Sequence, residues 1–393
     1  MNHSASSDAQ QPVSAATDAV VMLRAVNRVA ILTLNRPDAL NALDLAMVRE
    51  LAAHLEQCRT NPDIVAVVLN SSLEKAFCAG GDVRQVARTA IDAPHKVAQF
   101  FIEEYQLDHA IHRFLKPVVV LMDGITMGGG MGLAQGASLR VTTERSKIAM
   151  PETRIGLVPD VGATHFLRVM PVEMALFAGL TGTVLNGADA VYSGLADVSV
   201  PSASLAGFEQ RLEAINTERT QASAAEFNEY IQGALREVFA SSTLDSNSAP
   251  IAVHEPWIST HFDARRPVVE IVASLREALK GAPSDTERTW LRATLDALLT
   301  CSPTMIHVTR EALLKGRHMS LADCFRMEMG IVVRTVEEGD FREGVRAHLI
   351  DKDRRPQWRP ATLEAVTREQ VETLLHSPWS EQNHPLAALG HDD

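Results

Sequence analysis

The chain has 393 residues, of which 46% are hydrophobic and 22% charged, and its formal net charge is -12. This composition excludes bulk disorder and fits a globular protein with a filled interior, while the length predicts one main domain with a substantial appendage rather than a single small core. The acidic balance argues against nucleic acid as a partner, and apolar runs such as Val118 to Met122 are far too short for the about 20 residues of a membrane-spanning helix.

Residues 1–18 are rich in Ser, Ala, Gln and Asp, with neither a basic start nor an apolar signal core, so they read as the disordered tail of a cytoplasmic protein. Residues 19–204 alternate β-branched runs with helical spacing. VVMLRAV and VAILTL read as strands separated by Asn27 and Arg28, followed by a helix from Leu43 to Cys58 with apolar residues at Leu45, Val48, Leu51 and Leu55. IVAVVLN is a buried strand, a helix covers roughly 96–114, and KPVVVLMDG repeats the buried-strand pattern. A short helix from about Gly129 to Ala137 then leads into the strand LRVTT. Such alternation predicts an α/β fold with parallel sheets and crossover helices. From 205 to 360 the runs GFEQRLEAI, AAEFNEYIQGALREVF, RPVVEIVASLREAL, TWLRATLDALL, TMIHVTREALLKG and LADCFRMEMGIVVRTV read as a mainly helical region, broken by the polar loop SSTLDSNSAP. Residues 361–393 form a C-terminal extension.

Cys58, Cys78, Cys301 and Cys324 are scattered without a C-x-x-C pair, which argues against disulfides or a zinc site, and the dispersed histidines suggest no metal. Nucleotide-binding glycine motifs, H-E-x-x-H and G-x-S-x-G are all missing. Two glycine turns remain, FCAGGD (77–82) and GITMGGGMG (124–132), each after a buried strand, where parallel sheets gather ligands. Glycine lets backbone N–H groups approach a ligand, so the pair could hold an oxyanion, although each turn alone fits tight turning or close helix packing equally. In MPETRIGLVPDVGATHFL, Glu152 and Asp160 stand among apolar residues. Desolvation there raises a carboxyl's pKa and suits it to acid–base work, but a helix cap and a turn start are the plain alternatives.

LNRPDALNAL, FCAGGD, GITMGGGMGL and the acidic loop, in this order, resemble the crotonase (enoyl-CoA hydratase/isomerase) superfamily over roughly 20–200. MPETRIGLVPDVGATHFL and the later FREGVRAHLIDKDRRPQW extend the likeness, to about residue 360, toward its 3-hydroxyisobutyryl-CoA hydrolase branch. The resemblance implies a spiral of ββα units followed by a helical C-terminal region. It also implies hydrolysis of a short 3-hydroxyacyl-CoA thioester in valine breakdown, without metal or redox cofactor and with coenzyme A entering only as part of the substrate. By the same likeness the amides of Gly81 and Gly129 form the oxyanion hole, Glu152 is the principal catalytic carboxylate, Asp160 assists, Glu104 faces the acyl group and Arg84 meets the CoA phosphates. The hydratases carry a glutamate where this chain has Gly132, which disfavours hydration more than isomerisation; an enoyl-CoA hydratase or isomerase on the same fold and a non-catalytic acyl-CoA-binding protein are the rival readings. Trimer-based self-association is a further expectation of the family likeness.

Overall fold

The computed structural model describes residues 19–93, 96–218, 223–240, 243–244, 249–282 and 284–390. The N-terminal tail expected at 1–18, and most of the polar loop expected at 241–250, lie outside the described residues. In chain order the first half runs β1 (Val21–Val26), β2 (Val29–Leu34), α1 (Leu45–Thr60), β3 (Ala66–Ser71), β4 (Ala76–Cys78), α2 (Val83–Asp92), α3 (Val97–His112), β5 (Val118–Met122), β6 (Ile125–Met127) and α4 (Gly129–Gln135). It continues through β7 (Leu139–Thr143), β8 (Lys147–Ala149), α5 (Ala163–Phe166), α6 (Val172–Thr181), α7 (Gly187–Tyr192) and β9 (Val198–Val200).

The first two strands pair antiparallel through Asn27 and Arg28, both left-handed, which is the turn geometry that matches strand twist. All later pairings are parallel, giving a six-stranded sheet ordered β1-β2-β3-β5-β7-β9 and a three-stranded sheet ordered β4-β6-β8. A long strand in the first sheet, a short one in the second and then a helix recur three times, from β3, β5 and β7. This is the expected spiral of ββα units.

Both faces of the large sheet are covered, which is why its strands read as continuous apolar runs rather than alternating ones. Ala30, Leu32, Val67, Leu69 and Val120 face inward on the core with α1 and α3, whereas Ile31, Val68, Val119 and Val141 face a second core. Ile231, Leu235 and Phe239 of the later helices close that outer core.

The second half comprises α8 (Phe208–Glu213), α9 (Ala224–Ala240), α10 (Pro250–His261), α11 (Val268–Gly281), α12 (Asp285–Thr300), α13 (Pro303–Gly316), α14 (Leu321–Glu338), α15 (Phe341–Val345) and α16 (Arg368–Leu375). Here α13 packs on α5 and α6, while α14 packs on α2 and α3. No helix among the described residues is long and apolar enough to cross a membrane.

The backbone of α15 meets the 3-10 turn Glu152–Ile155 without intervening side chains. A Cβ on Gly344 would lie 2.2 Å from the Ile155 carbonyl oxygen, and one on Gly156 would lie 2.5 Å from the Asp340 carbonyl. Neither backbone can yield cheaply, so Gly344→Ala should cost about 1–3 kcal/mol of stability, as overpacking typically does. Thermal unfolding measures this; a melting temperature equal to that of the parent chain would show that the contact is dispensable.

Candidate active site

The local structure around the first glycine turn is built by the LNRPDALNAL segment. Asn41, fully buried, donates to Ser71 Oγ at 2.8 Å and to the Phe77 carbonyl at 3.0 Å, and its own Oδ1 accepts from Arg36 N at 2.7 Å. Arg36 reaches Asp82 Oδ2 at 2.8 Å, and Asp82 caps α2. Leu43 straps the turn from the side, donating to Gly80 O and accepting from Asp82 N at 2.8 and 2.7 Å. This pairing skips Gly81 N, so no backbone carbonyl of the described residues accepts from it.

The second turn enters α4 through Gly128, whose φ of 49° places it in the left-handed region that glycine tolerates. Gly129 is the first helical residue, where an N–H has no partner within the helix. The two turns face each other closely: a Cβ built on Gly129 would lie 3.4 Å from Gly81 N and 2.4 Å from Glu104 Oε1. Both glycines line one cavity of about 280 Å³, with Phe100, Phe101, Leu157 and Val161 among its walls.

Glu104, Glu152 and Asp160 line the same cavity and are 2%, 6% and 5% exposed. Glu152 opens the 3-10 turn, and one of its oxygens lies 2.8 Å from where a Gly128 Cβ would be, while Oε2 has no hydrogen-bond partner. Glu104 Oε1 is likewise unpartnered. Asp160 accepts a 2.6 Å bond from the Tyr105 hydroxyl. Burial pushes the Asp160 carboxyl up to about 6, with the Tyr105 bond and its own amide pulling the other way. Glu152 is held well above the usual carboxylate range by burial and then by the negative charge of Asp160. Glu104 is raised for the same reasons, burial first and then Asp108 and Asp160.

Three groups that the sequence did not flag complete the surroundings. Asp108, one turn beyond Glu104 on α3, is buried with neither oxygen partnered, and a Gly132 Cβ would lie 2.5 Å from its Oδ2. Gly132 is thus required by the carboxyl packed over it. Glu328 of α14 accepts from Gly162 N at 2.7 Å, Thr164 N at 2.9 Å and Thr164 Oγ1 at 2.6 Å. It clamps the loop in which Val161, a β-branched residue, sits at a φ of 54°, a conformation worth on the order of 1–3 kcal/mol of strain. Finally, His348 and Leu349, from the π-helical turn Arg346–Ile350, line the cavity beside Arg154. Burial first, then Arg154 and Arg354, lower the His348 pKa and favour its neutral form.

The structure therefore brings five of the six expected site residues, Gly81, Glu104, Gly129, Glu152 and Asp160, to one cavity. Arg84 is exposed on α2 and does not line it; the cation that does is Arg154. All four cysteines are free and buried.

This arrangement agrees with comparisons to known proteins. The family model described as enoyl-CoA hydratase/isomerase matches residues 29–375. The "3-hydroxyisobutyryl-CoA hydrolase, mitochondrial" of Gallus gallus is 38% identical over 355 residues, covering 90% of this chain and 88% of the relative. "Small ribosomal subunit protein mS47" of Neurospora crassa is 35% identical, covering 91% of this chain and 71% of that protein. Among solved structures, a carnitinyl-CoA dehydratase from Mycobacterium thermoresistibile superposes with a TM-score of 0.79 at 33% identity, covering 91% of this chain and 96% of that one. The spiral of ββα units, the paired glycine turns and the family match over most of the length agree: the chain belongs to the enoyl-CoA hydratase/isomerase family.

Proposed function

We propose that the chain hydrolyses a short 3-hydroxyacyl-CoA thioester, with 3-hydroxyisobutyryl-CoA, the compound of valine breakdown, as the preferred substrate. The observation that carries this reading is the convergence of two glycines, whose amides donate to no backbone carbonyl of the described residues, with Glu152 and Asp160 in one apolar cavity. The substrate is taken from the similar 3-hydroxyisobutyryl-CoA hydrolase of Gallus gallus.

In this mechanism the thioester oxygen lies between the N–H groups of Gly81 and Gly129, which stabilise the negative charge that develops there. Glu152 supplies the nucleophile, directly or by deprotonating one water. A C–O bond forms at the acyl carbon and the C–S bond breaks. On the direct route one water then hydrolyses the Glu152 anhydride, and on either route the proton given up by that water passes to the departing thiolate, leaving the 3-hydroxy acid and coenzyme A. Asp160 accepts a hydrogen bond from the substrate 3-hydroxyl, and Glu104, kept protonated by its surroundings, donates one to the acyl portion. Arg84, exposed between the lining residues Val83 and Val86, meets the CoA phosphates outside the cavity. No metal or redox group is needed for these steps. The mS47 relative, named as a ribosomal subunit, motivates a non-catalytic alternative, and release of free thiol separates the two.

Glu152→Gln should retain binding of a CoA ester and lose at least about 100-fold in hydrolysis, the typical worth of a base. Calorimetric binding and thiol release on the same preparation check both halves, and parent-like turnover would refute the mechanism. Gly129→Ala would drive a methyl group into Glu104 and tilt the oxyanion amide. A rate loss on the order of 100- to 1000-fold is expected, as for removal of one such donor. Asp160→Asn should impair 3-hydroxyisobutyryl-CoA more than isobutyryl-CoA, which offers no hydroxyl. Equal losses on the two esters would assign Asp160 to proton transfer instead.

A further inference from the structure

Four carboxyls, those of Glu104, Asp108, Glu152 and Asp160, share one interior, and each is at most 6% exposed. Simultaneous ionisation of such a group, without cations among them, carries a prohibitive desolvation and repulsion cost. Some members must keep their protons, and the structure distinguishes them by their partners. Glu104 Oε1, Glu152 Oε2 and both oxygens of Asp108 have none. Among the described residues, Asp160 alone of the four accepts a side-chain hydroxyl, from Tyr105 at 2.6 Å. Tyr105 is fully buried, and its ring is fixed between Phe101 and Phe325, with centroids 6.2 and 5.4 Å away. Ring packing fixes where the hydroxyl oxygen lies, and Asp160 Oδ2 is the acceptor placed before it.

We propose that Tyr105 is a positioning residue whose hydroxyl, donated to Asp160 Oδ2, selects Asp160 as the carboxyl of this cluster that ionises first. Glu104 and Asp108 then remain protonated, one as a donor toward the cavity and the other as a neutral filler beneath Gly132. The proposal rests on the hydrolase reading given above, because it assigns the ionised Asp160 a role in turnover. The groups facing Asp160 from the packed elements are Glu104, Tyr105 and Asp108 of α3, Glu152 and Arg154 of the 3-10 turn, Glu328 of α14 and His348 across the cavity. Among these, Tyr105 is the group that hydrogen-bonds the Asp160 side chain. A donor to the charged form lowers a carboxyl's pKa, so loss of the hydroxyl raises it. Activity that needs ionised Asp160 is present above its pKa and is lost as pH falls through it.

The test is the ratio of kcat/KM for 3-hydroxyisobutyryl-CoA to that for isobutyryl-CoA, in which the ionisation of Glu152 needed by both esters cancels. It is read by thiol release from pH 5 to 9, in the full chain and in Tyr105→Phe and Asp160→Asn, and the acid limb is that of this ratio. The expected result is an acid limb displaced upward by on the order of one pH unit in Tyr105→Phe, with the rate above the limb within about threefold of the parent. A uniform rate loss with the limb in place would make Tyr105 merely structural and overturn the proposal. If Asp160→Asn keeps both the parent rate and limb, the role given to Asp160 fails instead, which is a separate outcome. Should Tyr105→Phe not fold, 3-fluorotyrosine placed at Tyr105 in a chain with Tyr192 and Tyr230 changed to Phe gives a more acidic donor. The limb should then move downward, and an unmoved limb overturns the proposal as surely.

Discussion

The constraint on which this structure turns is the burial of several carboxyl groups in one apolar interior, none of them ion-paired among the described residues. Pairing each acid with a base would remove the problem and also the reactivity, since a carboxylate locked to a guanidinium is a poor nucleophile and a poor base. The chain instead lets burial raise the proton affinity of Glu104, Asp108 and Glu152, and distributes its few buried donors selectively. Glu328 shows the other use of a buried acid. Burial pushes it up to about 8, but its oxygens accept three donors from the Gly162–Thr164 segment and so hold the strained Val161 in place. One carboxyl is spent on loop geometry so that its neighbour Asp160 can face the cavity.

Precision of this kind requires rigid elements behind it. The glycine turns issue from β4 and β6, which are three residues long and pair in parallel within the smaller sheet. The large sheet, packed on both faces, fixes where those short strands begin. The helices of the second half supply Glu328 and the cavity wall at His348 and Leu349, and α9 seals the outer core. The additional length of the chain is therefore structural support for the site as well as cover.

Much of this is legible in the residues. The long strands and helices are evident from apolar periodicity, because double burial writes a continuous apolar run into β5 and into the first four residues of β3. Glu152 and Asp160 stand out because carboxyls are rare within such apolar text. The short strands β4, β6 and β8 do not, since three residues carry no readable period and two of them lie inside glycine motifs. Tyr105 and Asp108 look like ordinary members of an amphipathic helix until α3 is docked, and Glu328 meets Gly162 across 166 positions of sequence. Arg84 draws notice by its position beside FCAGGD, but the turn of α2 directs it away from the cavity, while Arg154, also exposed, is set at the cavity's border by a turn whose path local pattern cannot foretell.

The direct backbone contact between α15 and the Glu152–Ile155 turn, followed by the cavity-lining pair His348 and Leu349, has a consequence for biosynthesis. Every acid of the site except Glu328 has been polymerised by residue 160, yet the wall that encloses them is made nearly two hundred residues later. At ordinary elongation rates that interval is on the order of ten to forty seconds. Throughout it, the ribosome carries a nascent chain whose acidic pocket is open to water, where its carboxyls have no reason to hold their protons. The enclosure of the acids is in this sense conferred by a segment that emerges late, and a nascent chain arrested before α15 would display the carboxyls without the wall that completes their surroundings.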